Sequence, residues 1–317
     1  MHFALPPRKT SQPPPYAARS SRSPFLRRSQ LQAVAVIACL ILFVLVLFRQ
    51  IFHSSAGKAP PGTPPVVIVT PIDEKEYSKE HINRIKDNRS FYAKRHGYAT
   101  FFPKVTDYDL KGAPLGWSRV PAVRHAMTIN PHSTYFFHLD QNALIMNPSL
   151  SLEAHIMSKK RLESLMLRNR PVVPPDSVIK TFSHLHGDQV DLVLTQDKEG
   201  LSQGSFILRQ GDYARFMLDT WFDPLFRKYN FQRAEGHALE HVVQWHPTVL
   251  AKLALVPQNV MNSYSADTSK EGSKGVGLYQ DNEFVIHFSG CATDVKRDCE
   301  KELWDFYKVW ESVWKKG

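Results

Sequence analysis

The first 58 residues contain no aspartate and no glutamate, although the chain of 317 residues carries 30 acids against 40 lysines and arginines. That one-sided stretch holds eight basic residues, from Arg8 to Lys58, and accounts for most of the net charge of +10. About +2 remains for positions 59–317, so the rest of the chain is nearly neutral and lacks the basic face that nucleic-acid binding needs. Cysteine is scarce too, three in all, which excludes a small disulfide-built scaffold. Cys39 falls in an apolar run, while Cys291 and Cys299 are close enough to bridge in an oxidising compartment, a pairing that spacing alone leaves open. No internal repeat is evident.

What is present begins with Ala33–Phe48, unbroken apolar sequence that with Ile51 and Phe52 approaches the length of a bilayer-spanning helix. About 30 residues precede it, more than a cleaved signal peptide usually carries, so an uncleaved anchor is expected. Six Lys/Arg lie before the run against Arg49 and Lys58 after it, which places the N-terminus in the cytosol and the bulk of the chain in a secretory lumen. The expected organisation is a Pro/Ser/Arg-rich disordered cytoplasmic tail at 1–30, a transmembrane helix at 31–52, a Pro/Gly-rich stem at 53–65 and a lumenal domain at 66–317. Asn88-Arg89-Ser90 is a glycosylation sequon that this topology would expose to the lumen.

From Val66 onward strand-like and helix-like segments alternate. Strands are predicted at 66–70, 98–102, 133–139, 191–195 and 204–209, with helices at 78–96, 118–128, 212–229 and 233–244. That order predicts an α/β domain with a mainly parallel sheet, whose ligands bind at the carboxyl ends of strands. The strand 133–139 runs into "HLDQNALIMNP" (138–148), with Asp140 at its end and Asn142 two residues on. Two acids at that spacing would share a divalent cation with a nucleotide diphosphate. Here one position offers a carboxylate and the other a neutral amide. A turn or cap is the ordinary role of an isolated aspartate in such a loop.

Several stretches in order bear on the choice: "RVPAVRHAM" (119–127), "YFFHLDQNALIMNP" (135–148), "GSFILR" (204–209), "VPQNVMNSY" (256–264) and "VIHFSGC" (285–291). In these the chain resembles the galactosyltransferase/mannosyltransferase family of fungi and plants, glycosyltransferase family 34, and within it the fungal mannan-polymerase subunits, one subgroup of which "EGHALEHVVQWHP" (235–247) resembles. The resemblance implies a GT-A-like, Rossmann-type nucleotide-sugar-binding fold, type II Golgi membrane topology, Mn²⁺, and retention of the sugar's configuration. For the α-1,6-mannosyltransferase branch it implies GDP-mannose as donor, a mannose-containing glycan as acceptor, and sister subunits as partners. Asp140 matches the first acid of the family's Asp-X-Asp motif and Asn142 replaces the second. His287 matches a metal-ligating histidine. Gly204 and Ser205 belong to a donor-lining strand, with Ser202 in place of an Asn. Glu235 is the acid that remains near the reacting centre, where Gly236 replaces a Gln. Arg124 is expected to contact the donor phosphates, with a solvated salt bridge the ordinary alternative for it and for Arg119.

Losing the second acid leaves two functions open: an enzyme with its own turnover, or a non-catalytic scaffold for an active homologue. UDP-galactose is the alternative donor. A rival pattern, His237-Ala-Leu-Glu-His241, matches H-x-x-E-H, which on a helix would set two zinc ligands beside a general base. An amphipathic helix explains the same residues, with Ala238, Leu239, Val242 and Val243 packing inward. The last segment predicts a helix bearing Trp304, Tyr307, Trp310 and Trp314, either packed on the domain's own core or presented to a sister subunit.

Overall fold

A computed structural model describes residues 28–53, 59–173, 177–197, 200–229, 231–266, 277–291, 294 and 296–316. The expected cytoplasmic tail falls almost wholly outside these residues, as does 54–58 of the expected stem. The chain divides into two units at Lys58. The first contains helix α1, Arg28–His53, whose side chains are described at 32–48 and stand exposed there. Among the described residues no helix is long and apolar enough to cross a membrane.

The second unit begins with strand β1 (Val66–Val69), helix α2 (Lys79–His96), strand β2 (Ala99–Phe101), helix α3 (Arg119–Ile129) and strand β3 (Tyr135–Leu139). A short strand β4 (Ala143–Ile145), helix α4 (Lys159–Leu165) and strands β5 (Leu192–Gln196) and β6 (Leu201–Arg209) follow. Helices α5 (Asp212–Trp221), α6 (Pro224–Lys228), α7 (Glu235–Trp245) and α8 (Pro247–Leu250) lead to strands β7 (Leu253–Val256), β8 (Ser263–Tyr264) and β9 (Val285–His287), and helix α9 (Cys299–Trp314) closes the domain. The single helix expected over 212–229 breaks at Asp223-Pro224. Asp223 caps a new helix by accepting from the Leu225 N–H, and Pro224, which has no N–H to lose, takes the first turn.

Six strands form the main sheet in the order β2-β1-β3-β6-β5-β7. Three of its pairings are parallel, but β6 runs antiparallel to both β3 and β5, so the sheet is mixed rather than mainly parallel. The reversal matters for the site, because it brings Gly204 and Ser205, near the start of β6, beside the end of β3. Alternation sends Val67, Val69 and Phe136 to the layer containing α3, α5 and α7, and Val66, Ile68 and Phe137 to the layer containing α2 and α4. Phe136 and Phe137 are fully buried, and truncating either ring to alanine would cost about 3–5 kcal/mol.

A second sheet, β4-β9-β8, was not predicted. Its strands are two or three residues long, too short to show a period of two in sequence. A third apolar cluster binds it to α2 and α9. Tyr307 and Trp310 are buried there, Trp314 Nε1 donates to the Met146 carbonyl at 3.0 Å, and the Arg84 guanidinium stacks 4.0 Å from the Trp304 ring centre. The aromatic helix thus packs on its own domain. Cys291 and Cys299, which anchors the start of α9, are disulfide-bonded.

Asn88 overturns the sequon. It lies in α2, fully buried, with Nδ2 donating to the Ile145 carbonyl and Oδ1 accepting from the Ile145 N–H, both at 2.9 Å. Its amide completes the edge of β4 and is closed to a glycan.

Candidate active site

Asp140 stands where β3 ends. Its backbone N–H donates to the Gly204 carbonyl at 2.8 Å, and its Oδ1 accepts from the Asn142 N–H at 3.1 Å, closing the local turn that short acids favour. The outer oxygen, Oδ2, meets Arg119 at 3.2 Å. Arg119, at the start of α3, is held by the carbonyls of Gly116 (2.9 Å) and Gln203 (3.0 Å) and reaches Glu235 at 3.4 Å. One guanidinium therefore bridges two carboxylates. Burial would push the Asp140 carboxyl up, but Arg119, His287, His138 and the Asn142 N–H together hold it below the usual range, so it stays ionised.

Glu235 opens α7 and is 6% exposed. It is delivered by Ala234, whose φ of 40° lies in the left-handed region that side-chain-bearing residues avoid. Gly116 admits its carboxylate: a Cβ at that glycine would lie 2.3 Å from Glu235 Oε1. Gly204 does the same for His287, whose Cε1 would be 2.6 Å from an added Cβ. His287 sits on β9 opposite Ala143, two residues past the Asp140 turn's midpoint, and its Nδ1 is buried without a partner. Burial lowers its pKa, with Asp140 opposing and Arg119 reinforcing, which keeps the imidazole neutral. Thus Gly204 links the two halves. Its carbonyl fixes Asp140, and its missing side chain seats His287.

Two other predicted residues are placed differently. Asn142 turns its amide to Tyr77, donating from Nδ2 to the hydroxyl at 2.7 Å, and its Oδ1 is buried without a partner. Arg124 lies one and a half turns along α3 from Arg119, pairs with Asp219 at 3.2 Å, and lines a separate surface hollow with His125 and Phe222. It does not line the Asp140 cavity; the helical period of α3 sends Arg119 there instead. The Ser205 hydroxyl is buried opposite Leu139 with no partner. Ser202 accepts a hydrogen bond from Asn262 Nδ2 at 2.7 Å.

Sequence reasoning missed two residues under the site. Arg89 is fully buried and donates from Nη2 to the Asp140 carbonyl at 2.8 Å; burial drags its pKa down to about 9, with Asp140 opposing. His138 is 1% exposed, packs on Phe206, and has neither ring nitrogen bonded. Burial first, then Arg119, lowers its pKa to about 3. Both belong to segments read for other reasons, Arg89 as the middle of a sequon and His138 as part of a strand. A cavity of about 200 Å³ opens before Asp140, with Asp73, Glu76, Arg119, His138 and Gln141 in its wall.

The H-x-x-E-H pattern does not converge. Glu240 Oε1 accepts from the Leu201 N–H at 3.0 Å and faces Arg233, while His241 packs against Phe226. Among the described residues no group of three or more metal-ligating side chains comes together.

The mixed α/β sheet thus carries an ionised aspartate at the end of β3, with a paired arginine from α3 and a buried acid from α7 beside it. The chain belongs to the galactosyl transferase GMA12/MNN10 family, whose pattern matches residues 62–300, and is by that membership a glycosyltransferase. An uncharacterized alpha-1,2-galactosyltransferase of Schizosaccharomyces pombe is 29% identical over 80% of this chain and 78% of its own length. A probable alpha-1,6-mannosyltransferase of Saccharomyces cerevisiae is 30% identical over 77% of this chain. The alignment covers 62% of that yeast protein, less than two thirds of its length. A solved glycosyltransferase involved in the glycosylation of the major capsid of PBCV-1 aligns with 78% of this chain and 100% of its own, at a TM-score of 0.49 and 11% identity.

Proposed function

We propose that residues 66–317 form the lumenal, GT-A-like domain of a Golgi α-1,6-mannosyltransferase subunit, transferring mannose from GDP-mannose to mannan or N-glycan acceptors with retention. The observation that carries this reading is the Asp140–Arg119–Glu235 bridge at the mouth of the cavity. An arginine beside a departing diphosphate stabilises the charge that develops on it. Glu235 is the carboxylate available to orient the donor sugar or the acceptor hydroxyl. The acceptor oxygen bonds to the anomeric carbon on the face the diphosphate leaves, and the hydroxyl proton leaves with the diphosphate.

The fit of the chain to a manganese ion rests on its donor set. Asp140 is ionised, and His287 is neutral with a buried, partnerless Nδ1, a carboxylate–imidazole pair suited to a divalent transition metal. Asp140 and His287 would hold the ion, with phosphate oxygens of the donor completing its shell. Bound there, it would neutralise charge on the leaving diphosphate. Asn142 offers a neutral amide oxygen in place of a second carboxylate, its Oδ1 buried without a partner while its Nδ2 donates to Tyr77. The missing second carboxylate favours the second reading, a scaffold subunit that binds donor and stabilises an active homologue.

The membrane anchor is part of the proposal. It is supported by 16 consecutive apolar residues within a 26-residue helix and by the basic residues that precede them. The galactosyltransferase name of the fission-yeast relative keeps UDP-galactose as the competing donor.

The test uses the full chain in detergent, alone and with sister subunits, supplied with GDP-mannose, Mn²⁺ and a mannose acceptor. Transfer by the chain alone supports the enzyme. Transfer that needs the sister subunits and survives Asp140→Ala in this chain supports the scaffold. Transfer from UDP-galactose only refutes the mannosyl assignment.

A further inference from the structure

Away from the Asp140 cavity, the outer face of α7 is aromatic. Ala238, Leu239, Val242 and Val243 are fully buried, so the helical period sends His237, His241 and Trp245, four residues apart, to the other side. Charged residues are the usual occupants of such a face. Trp245 is instead 66% exposed, and α6 with the residues after it adds Leu225 and Tyr229, 69% and 65% exposed. The rings form a row. Tyr229 lies 4.6 Å from Phe231, Phe231 6.4 Å from His241, and His241 6.3 Å from Trp245, with Phe226 5.4 Å from the same imidazole.

A single exposed ring is ordinary on a protein surface, but a connected row marks a contact surface. Charge narrows what it contacts. Between positions 224 and 250 the two acids, Glu235 and Glu240, are buried, Arg227 stacks 4.1 Å from the Phe222 ring centre, and Arg233 faces Glu240 at 3.6 Å. Little charge is therefore left for an ionic partner. Chain continuity narrows it further. The Ala234 N–H donates to the Phe231 carbonyl at 3.1 Å and the Gly236 N–H to the Arg233 carbonyl at 2.8 Å, closing the turn that delivers Glu235 to the reaction centre. The row is thus built on that turn, and it ends at Trp245, about 15 Å farther along α7 than Glu235.

We propose that the Tyr229–Trp245 row is a second binding surface, for a neutral glycan chain, and holds acceptor sugars remote from the one that reacts. The proposal rests on the glycosyltransferase reading above and adds a site outside the reaction centre. A hexose chain matches the row's chemistry. The C–H faces of its rings pack on aromatic faces, and its hydroxyls reach the imidazole edges, the Tyr229 hydroxyl and the Trp245 N–H. It carries no charge for the surface to answer. One sugar beside Glu235 is too short to reach Trp245, whereas several in line span the distance, so affinity should grow with acceptor length.

Fluorescence anisotropy of the full chain in detergent tests this, with labelled α-1,6-mannotetraose and labelled mannose as probes and GDP-mannose with Mn²⁺ titrated in parallel. The tetraose is expected to bind at least about 10-fold more tightly than mannose. Trp245→Ala and Tyr229→Ala should each weaken the tetraose about 3- to 10-fold and leave GDP-mannose within about twofold. Trp245→Phe, which keeps a ring face, should recover most of the loss. Equal affinity for the two sugars, or tetraose binding that neither alanine variant weakens, would overturn the proposal. Loss of sister subunits from Trp245→Ala in a pull-down, with tetraose binding unchanged, would overturn it in favour of a protein interface. Tetraose binding that depends on Trp245 while GDP-mannose fails to bind would uphold the glycan surface and remove the donor reading. Should an alanine variant fail to fold, Trp245→Phe and the length preference of the unaltered chain decide.

Discussion

Two short stretches of this chain look like metal sites in sequence, and the fold uses their acids differently. At Asp140-Gln141-Asn142 the carboxylate keeps one oxygen for Arg119 beside a cavity and stands near a neutral histidine from another sheet. At His237–His241 the acid caps a strand's first N–H, and one histidine is absorbed by aromatic packing. Residue types are similar in both. The difference is whether the polar atoms already have structural work within the fold. Glu240 is mostly satisfied by Leu201 and Arg233, whereas His138 and His287, beside Asp140, keep ring nitrogens that the fold does not use.

The sharpest way to break this contrast is substitution at the two acids. Asp140→Ala is expected to lower transfer by at least about 10²–10³-fold, the loss typical of removing one charged group from a transition-state site. Glu240→Gln should leave transfer within about twofold, because glutamine still accepts from Leu201, and should cost less than about 1 kcal/mol in a thermal melt. Initial rates for both, read beside their melting curves, check the pair. Similar rates for the two variants would erase the distinction.

A smaller contrast lies within one helix. Arg119 bridges the half-buried Asp140 and the buried Glu235, while Arg124 meets Asp219 at the surface, where the arginine is 36% and the acid 63% exposed. Arg119→Ala should reduce transfer about 100-fold and raise the KM for the donor. Arg124→Ala should leave both within about twofold, since exposed pairs contribute little. Equal losses would return Arg124 to the donor site.

How much of this was legible in sequence follows from the length scale of each signal. The main strands and α2, α3 and α7 are long enough to show their period, and the strand-end placement of Asp140 followed from the α/β order. Reversal of β6 was not legible, because a strand buried on both faces reads the same in either direction. The second sheet left no period in its short strands, so the approach of His287 to Asp140 rested on family resemblance until Gly204 showed how the ring is seated. Arg119 and Arg124 were distinguishable only by helical phase, set by where α3 begins. Asn88 shows the converse error: a three-residue pattern carries no burial information, and this one sits in the core.

The mildest prediction compares the two buried, unbonded histidines. His138 lines the cavity; His81 does not, lying at the start of α2 with its ring stacked 4.6 Å from Tyr77. Burial lowers the His81 pKa to about 4, with Glu300 opposing, so the folded protein keeps it neutral. The sign follows from which state binds more protons. Below the unfolded pKa of about 6.5 the unfolded chain takes up a proton that the folded chain refuses, and stability falls as pH drops. The contribution is full above that pH, declines by up to about 1.4 kcal/mol per pH unit, and levels off below the folded value. His81→Phe, which keeps the stacking ring and removes the titration, should therefore lose about 1–2 kcal/mol less stability than the unaltered chain between pH 7 and pH 5. Denaturant unfolding at the two pH values measures the difference. An unchanged acid slope would show that His81 is hydrated or paired in solution, leaving His138 as the sole histidine of that kind in the comparison.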